Sequence, residues 1–168
     1  MSQNQNEMII EIAKLILTNK KKMIKEDDLI RFYDKSTKSD FDEIFNNLHE
    51  QFNKLGFELI KTEFQGNYYY VLTLEGKDDN LTPSQYGILA LIAALSKEVN
   101  ENIKIEELKE IFQDQWNSDI KILLDNDYLR KIDRLEIVKI TPLGKAILKE
   151  ILPDLSLDNL LDIFENDK

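Results

Sequence analysis

The chain contains no cysteine, and its 168 residues include a single histidine, His49. Without cysteine there is no disulfide, no thiolate nucleophile and no cysteine-based zinc site, and one histidine excludes a His-cluster metal site and a two-histidine relay. The five glycines form no phosphate-cradling loop. Adjacent carboxylates occur at Asp27-Asp28 and Asp78-Asp79, but the first pair suits a helix start and the second a linker. His49 lies beside Glu50 and close to asparagines, as a surface side chain would. No catalytic residue, metal or cofactor is expected, and the chain reads as a non-enzyme. Basic residues are outnumbered 22 to 32, leaving a formal charge of −10. That charge repels a phosphate backbone at long range and weighs against a dedicated nucleic-acid binder. There is no long apolar run either. The most apolar stretch, Leu81 to Leu95, is too short and too alanine-rich for a bilayer span, which needs about 20 apolar residues. No signal peptide is visible, so the expected compartment is the cytoplasm, in contact with the nucleoid, or the nucleus in a eukaryote.

What is present is ordered amphipathic pattern. Hydrophobic residues make up 42% of the chain, enough for a core built by burial alone. Residues 1–6 read as a polar, frayed tail. Residues 7–19 form an amphipathic helix with Met8, Ile9, Ile12, Leu15 and Ile16 on a wide apolar face, and Lys20, Lys21 and Lys22 follow in its last turn. Ile24 suits a β bridge, and Lys25 to Tyr33 a short second helix. A third runs from Ser36 to Gly56, with Ser39 as its cap and Phe41, Ile44, Phe45, Leu48, Phe52 and Leu55 as its stripe. The period then changes to two. Phe57, Leu59 and Lys61 share a strand face, Gln65-Gly66-Asn67 turns, and Tyr68 to Leu74 returns. Two of the three tyrosines Tyr68, Tyr69 and Tyr70 must share a face.

After a polar linker at 76–80 the order repeats. Thr82, Pro83 and Gln85 mark a helix start with a capping box, and Ile88, Leu91, Ile92 and Leu95 form its stripe. A short strand at 103–105, a helix at 106–112 and a third helix at 115–126 follow, the last with Trp116, Ile120, Leu123 and Leu124 inward. A hairpin pairs 128–132 with 135–140 around Asp133-Arg134. Thr141-Pro142 opens a last helix that ends before Pro153. The fold expected is mainly α with small β wings, α+β in class. It comprises two tandem winged helices at 7–75 and 81–152, related by element order alone. Residues 153–168 make a separate acidic amphipathic helix. Its apolar positions Leu157, Leu160, Leu161 and Phe164 call for a surface to lie on, by folding back or on a neighbouring subunit.

Several stretches resemble a known group, the KITE proteins, tandem winged helices that bind the kleisin subunit of SMC complexes. The segments IAKLILTNKKKMIKEDDLI (12–30), FNNLHEQFNKLGFELIKTE (45–63), NYYYVLTLE (67–75), SQYGILALIAALS (84–96) and IKIEELKEIF (103–112) are similar to the MAGE homology domain. The LTPSQ entry to the second domain and the GFELIKTEFQGNYYYVLT hairpin are also similar to the bacterial and archaeal subunit ScpB. The resemblance implies a non-enzymatic subunit of a condensin-like or MAGE-type SMC complex, acting in chromosome organisation or segregation. It also implies a kleisin partner, and a homodimer or a heterodimer with a second KITE protein. In MAGE proteins the first helix helps to dock a RING partner. The matching positions are Leu15, Ile16 and Leu17, where the family's paired leucines stand as Ile16-Leu17.

Other candidates come from the residues themselves. Trp116 is either a packing residue or an interface anchor. Two basic islands, Lys20, Lys21, Lys22 and Lys25 in the first half and Arg130, Lys131, Arg134, Lys139, Lys145 and Lys149 in the second, are solvated faces or points of weak, non-specific DNA contact. Both candidate recognition helices are acidic and carry no arginine for guanine readout, which argues against a winged-helix transcription regulator. That regulator and an adaptor of a RING ubiquitin ligase are the alternatives, because winged helices serve all three uses.

Overall fold

A computed structural model describes residues 3–21, 23–32, 38–74 and 80–159. The chain divides into two compact units, Met1–Asp78 and Asp79–Lys168.

The first unit is built as α1 (Gln3–Thr18), β1 (Met23–Lys25), α2 (Glu26–Phe32), α3 (Lys38–Lys54), β2 (Phe57–Phe64) and β3 (Asn67–Leu74). Helix α1 starts at Gln3, so residues 3–6 are helix rather than a frayed tail, and it ends at Thr18, ahead of the lysines. The Asn19 side chain shapes the turn that follows, accepting from Lys21 N at 3.0 Å and donating to Met23 O at 2.8 Å. Ile24 lies in a three-residue strand, not a lone bridge, and the sheet order is β1-β3-β2, all antiparallel. Ser39 falls inside α3 rather than at its cap.

The period-3.6 stripes meet in one core: Ile9, Ile12 and Ile16 from α1, Leu29 from α2, Phe41, Ile44, Phe45, Leu48 and Phe52 from α3, and Leu59, Tyr70 and Leu72 from the sheet. Each such side chain contributes about 1.5–3 kcal/mol by leaving water. Leu55, at the end of the expected stripe, is exposed because α3 stops at Lys54 and Gly56 turns the chain at φ 79°. The hairpin closes over two residues, Gln65 (φ 52°) and Gly66 (φ 73°), with Phe64 opposite Asn67. Two positive φ values give the turn whose twist matches the strands.

Tyr70 and Tyr68 share the core-side face. Tyr70 is buried and stacked on Phe45 at 4.2 Å, and its hydroxyl donates to Glu26 Oε1 at 3.0 Å. Lys61 pairs with the same carboxylate and lies 4.7 Å from the Tyr68 ring centroid. Burial first, then the Glu26 charge and hydrogen bond, push the Tyr70 phenol above the ordinary tyrosine range. The folded state therefore holds this proton more tightly than the unfolded state. The associated stability is fully present below pH about 10 and falls as pH rises beyond it. Urea unfolding across that window, followed by far-ultraviolet circular dichroism, should show a decline with pH that Tyr70→Phe reduces.

The second unit is built as α4 (Pro83–Glu98), β4 (Ile103–Lys104), α5 (Ile105–Ile111), a π-helical turn (Trp116–Ile120) leading into α6 (Lys121–Asp125), β5 (Leu129–Ile132), β6 (Ile137–Ile140) and α7 (Pro142–Ile147). Its sheet order is β4-β6-β5. The capping box at α4 forms: Gln85 N donates to Thr82 Oγ1 at 3.2 Å and Thr82 N to Gln85 Oε1 at 3.1 Å. The most buried face of α4 is Gln85, Leu89, Ile92, Ala93 and Ser96, while Ile88, Leu91 and Leu95 are half-buried. Leu89 and Ile92 are fully buried at the centre of the contact, with Ala93 and Ala94 beside them. The hairpin loop covers four residues, with a 3-10 turn at Asp133–Leu135 and Glu136 left-handed at φ 51°, so Leu135 lies in the loop, exposed, instead of starting a strand.

Thr141 is fully buried and closes the joint between wing and last helix. Its hydroxyl donates to the Asp127 carbonyl and accepts from Gly144 N at 3.1 Å. Helix α7 ends at Ile147, short of the expected Leu152, where Leu148 turns into the core. Looser turns follow, and the Lys97 ammonium donates to the carbonyls of Leu152 and Leu155. Residues 157–159 form a helical turn capped by Ser156, whose hydroxyl accepts from Asn159 N at 3.1 Å, with Leu157 half-buried. Leu160, Leu161 and Phe164 lie outside the described residues. No described helix is long and apolar enough to cross a membrane.

Candidate functional site, a groove beside Trp116

A hydrogen bond from Ile120 N to Gln115 O at 3.0 Å closes the turn that opens the third helix of the second unit. It spans five residues instead of four, so each residue advances the chain by a smaller angle than in an α-helix. In a regular helix, Trp116 would sit over Ile120 and Leu123, both fully buried. The wider turn carries it to the side of Leu124, and both residues are half-buried. This corrects the expectation of an inward Trp116. The turn is held from α4, where the buried Gln85 donates to Asp119 Oδ1 at 3.3 Å.

Trp116, Leu124 and Leu129 are among the apolar parts of a groove of about 550 Å³ between the third helix and β5. Its polar lining includes Lys121, Asp125, Asp127, Arg130 and Lys131. The Asp127 carboxylate accepts Arg130 as a fork, at 2.8 and 2.9 Å from one guanidinium nitrogen and 3.1 Å from another. Lys109, from α5, and Lys131, from β5, each place an ammonium 5.3 Å from the Trp116 ring centroid. Such cation–π contacts contribute about 0.5–1 kcal/mol at exposed sites. Among the described residues no group of three or more His, Cys, Asp or Glu could hold a metal ion.

The fold thus brings together three candidates that the sequence nominated for different reasons: Trp116, Arg130 and Lys131. It adds Lys109, Lys121, Leu124 and Leu129, whose meeting depends on helix and strand lying side by side. Arg134 is exposed at the wing tip and Lys139 half-buried on β6. The rest of this basic island is largely paired, Lys145 with Glu101 at 2.8 Å and Lys149 with Glu150 at 3.7 Å. In the first unit Lys20 and Lys21 are exposed, Lys25 pairs with Asp27 at 3.0 Å, and Lys22 lies outside the described residues. Asp42, Glu43 and Glu50 are exposed along α3, as is His49.

The proposed docking trio on α1 does not form one surface. Ile16 is 1% exposed and belongs to the core, while Leu15 and Leu17 are 36% and 53% exposed on opposite flanks of it. Adjacent helical residues are turned by about 100° from one another, so three in a row cannot share a face.

No family model matches the chain, and no curated protein matches it. The chain is similar to a solved chain of an assembly described as the Nse1-Nse3-Nse4 complex, with a TM-score of 0.55 and 10% identity over 90% of this chain and 74% of that one. At that identity the likeness shows the fold, and it is the tandem winged-helix fold that the residues' resemblance to the MAGE and KITE proteins implies.

Proposed function

We propose that the chain is a non-enzymatic KITE-type subunit that binds the kleisin of an SMC complex and acts in chromosome organisation. The observation that carries this reading is the groove beside Trp116: an apolar floor under a polar rim on a winged helix, a form suited to a partner's side chains. The similar chain comes from an assembly of several subunits, which supports a role inside a complex. The acidic face of α3 disfavours the transcription-regulator reading, since groove insertion would set its carboxylates against phosphates. With Ile16 buried, the α1 route to a RING adaptor loses its central residue. On this reading the chain works as a homodimer or beside a second KITE protein, in the nucleoid or nucleus.

Crosslinking and mass spectrometry on complexes isolated from the native organism test it. Recovery of a kleisin and an SMC ATPase is the expected result, and Trp116→Ala should weaken the kleisin contact by about 2 kcal/mol or more, as loss of an aromatic anchor does. Recovery of DNA without either subunit would overturn the reading.

A further inference from the structure

We propose that the groove beside Trp116 takes an acidic segment of a partner protein, with one apolar side chain laid on Trp116 and Leu124 and carboxylates facing Lys109, Lys121 and Lys131. This rests on reading the chain as a partner-docking subunit, and it names the chemistry that the groove selects.

Charge is the first argument. The groove's one tight ion pair, Arg130 with Asp127, is internally neutralised. Lys109, Lys121 and Lys131 are exposed, and none makes an ion pair among the described residues. One further carboxylate, Asp125, stands at the rim. The lining holds one more cation than carboxylates, and Lys109 reaches the ring from α5, a local departure on a chain of net charge −10 that an anionic occupant would match.

The ring is the second. Lys109 and Lys131 lie on Trp116, and a carboxylate is a stronger partner for an ammonium than a ring face is. An incoming acidic segment draws them aside and leaves the indole for an apolar side chain. A volume of about 550 Å³ receives side chains of a peptide and not a duplex. The π turn is the third. It spends one residue beyond the α-helical period and sets the indole beside Leu124, on the groove side of the helix.

Trp116 is the sole tryptophan of the chain, so its fluorescence reports on this groove. The full-length protein should be used to select from a phage-displayed library of short random peptides, in parallel with the Lys121→Glu/Lys131→Glu double variant. The expected peptides carry Asp or Glu around an aromatic or aliphatic residue, shift the Trp116 emission, and bind more weakly as salt rises. They should lose about tenfold or more in affinity on the double variant, and nothing on Lys54→Glu, which lies on α3. Selection of peptides without acidic residues, equal binding to the double variant, no enrichment, or a Trp116 shift with duplex DNA alone would overturn the proposal. If crosslinking recovers a kleisin while acidic peptides fail to bind, this inference falls and the functional reading stands. If acidic peptides bind while the native partners include no SMC subunit, the functional reading falls instead.

Discussion

Replacing Ile16 by aspartate is expected to unfold the first unit, whereas the same change at Leu17 should leave it folded. Ile16 is 1% exposed and packs with Ile12, Leu29 and Ile44 in the core, while Leu17 is 53% exposed. Truncating a buried isoleucine costs about 2–5 kcal/mol, and an unpaired carboxylate in its place adds several more. A domain holds about 5–15 kcal/mol in total, so the variant should lie at or past its unfolding point. Leu17→Asp removes no buried contact of that kind, and a change within about 0.5 kcal/mol is expected. Amide hydrogen exchange over residues 3–74 of the full chain separates the two. Retained protection in Ile16→Asp would mean that α1 is turned differently from the face described. The comparison also decides which change on α1 is safe for probing a partner: loss of binding at Ile16 would report unfolding, not contact.

The second large effect is at Gly144. A Cβ there would collide with the Tyr128 carbonyl oxygen and lie 2.8 Å from Ile140 Cγ2. Neither neighbour can retreat at low cost. The Tyr128 carbonyl accepts from Thr141 N at 3.1 Å, and Ile140 is a buried strand residue. Gly144→Ala is expected to destabilise the second unit by about 2–4 kcal/mol, and Gly144→Val by more. Gly87 offers the contrast. It lies exposed within α4 with nothing within 4 Å of its added Cβ, so Gly87→Ala should stabilise by about 0.5–1 kcal/mol through helix propensity. Denaturant unfolding followed by Trp116 fluorescence measures both. A neutral Gly144→Ala would show that the joint between wing and α7 yields more readily than its hydrogen bonds suggest.

The elements most legible in the sequence were those with local chemical punctuation. Thr82, Pro83 and Gln85 announce α4 because the cap is made by residues three apart, and Gly66 announces its hairpin because positive φ selects glycine. The α3 stripe from Phe41 to Phe52 was legible because large apolar side chains at helical spacing have one way to be buried together. Less legible was the facing of α4, where apolar residues lie on several sides and the buried face runs through Leu89 and Ile92 rather than Ile88, Leu91 and Leu95. Leu135 follows the alternation of a strand, yet the loop needs it. The candidate site was half legible. Trp116 stands out by type and Arg130 and Lys131 by charge, but the spacing from Trp116 to Ile120 fits an ordinary helix, and no local signal marks the π turn. The meeting of Lys109 and Lys131 on one indole arises from packing between elements distant in sequence.

The Lys97 ammonium, donating to the carbonyls of Leu152 and Leu155, is a charge held by dipoles rather than by another charge. Screening by dissolved ions weakens attraction between separated charges, with a Debye length of about 3 Å at 1 M, but acts little on a hydrogen bond made at contact. As ionic strength rises, the pair of half-buried Lys149 with exposed Glu150 should loosen while the turns after α7 stay attached. The hold of Lys97 on the turns at 148–155 is therefore little affected by salt, whereas acetylation of Lys97 would weaken it and leave the segment to its buried anchors Leu148 and Leu155.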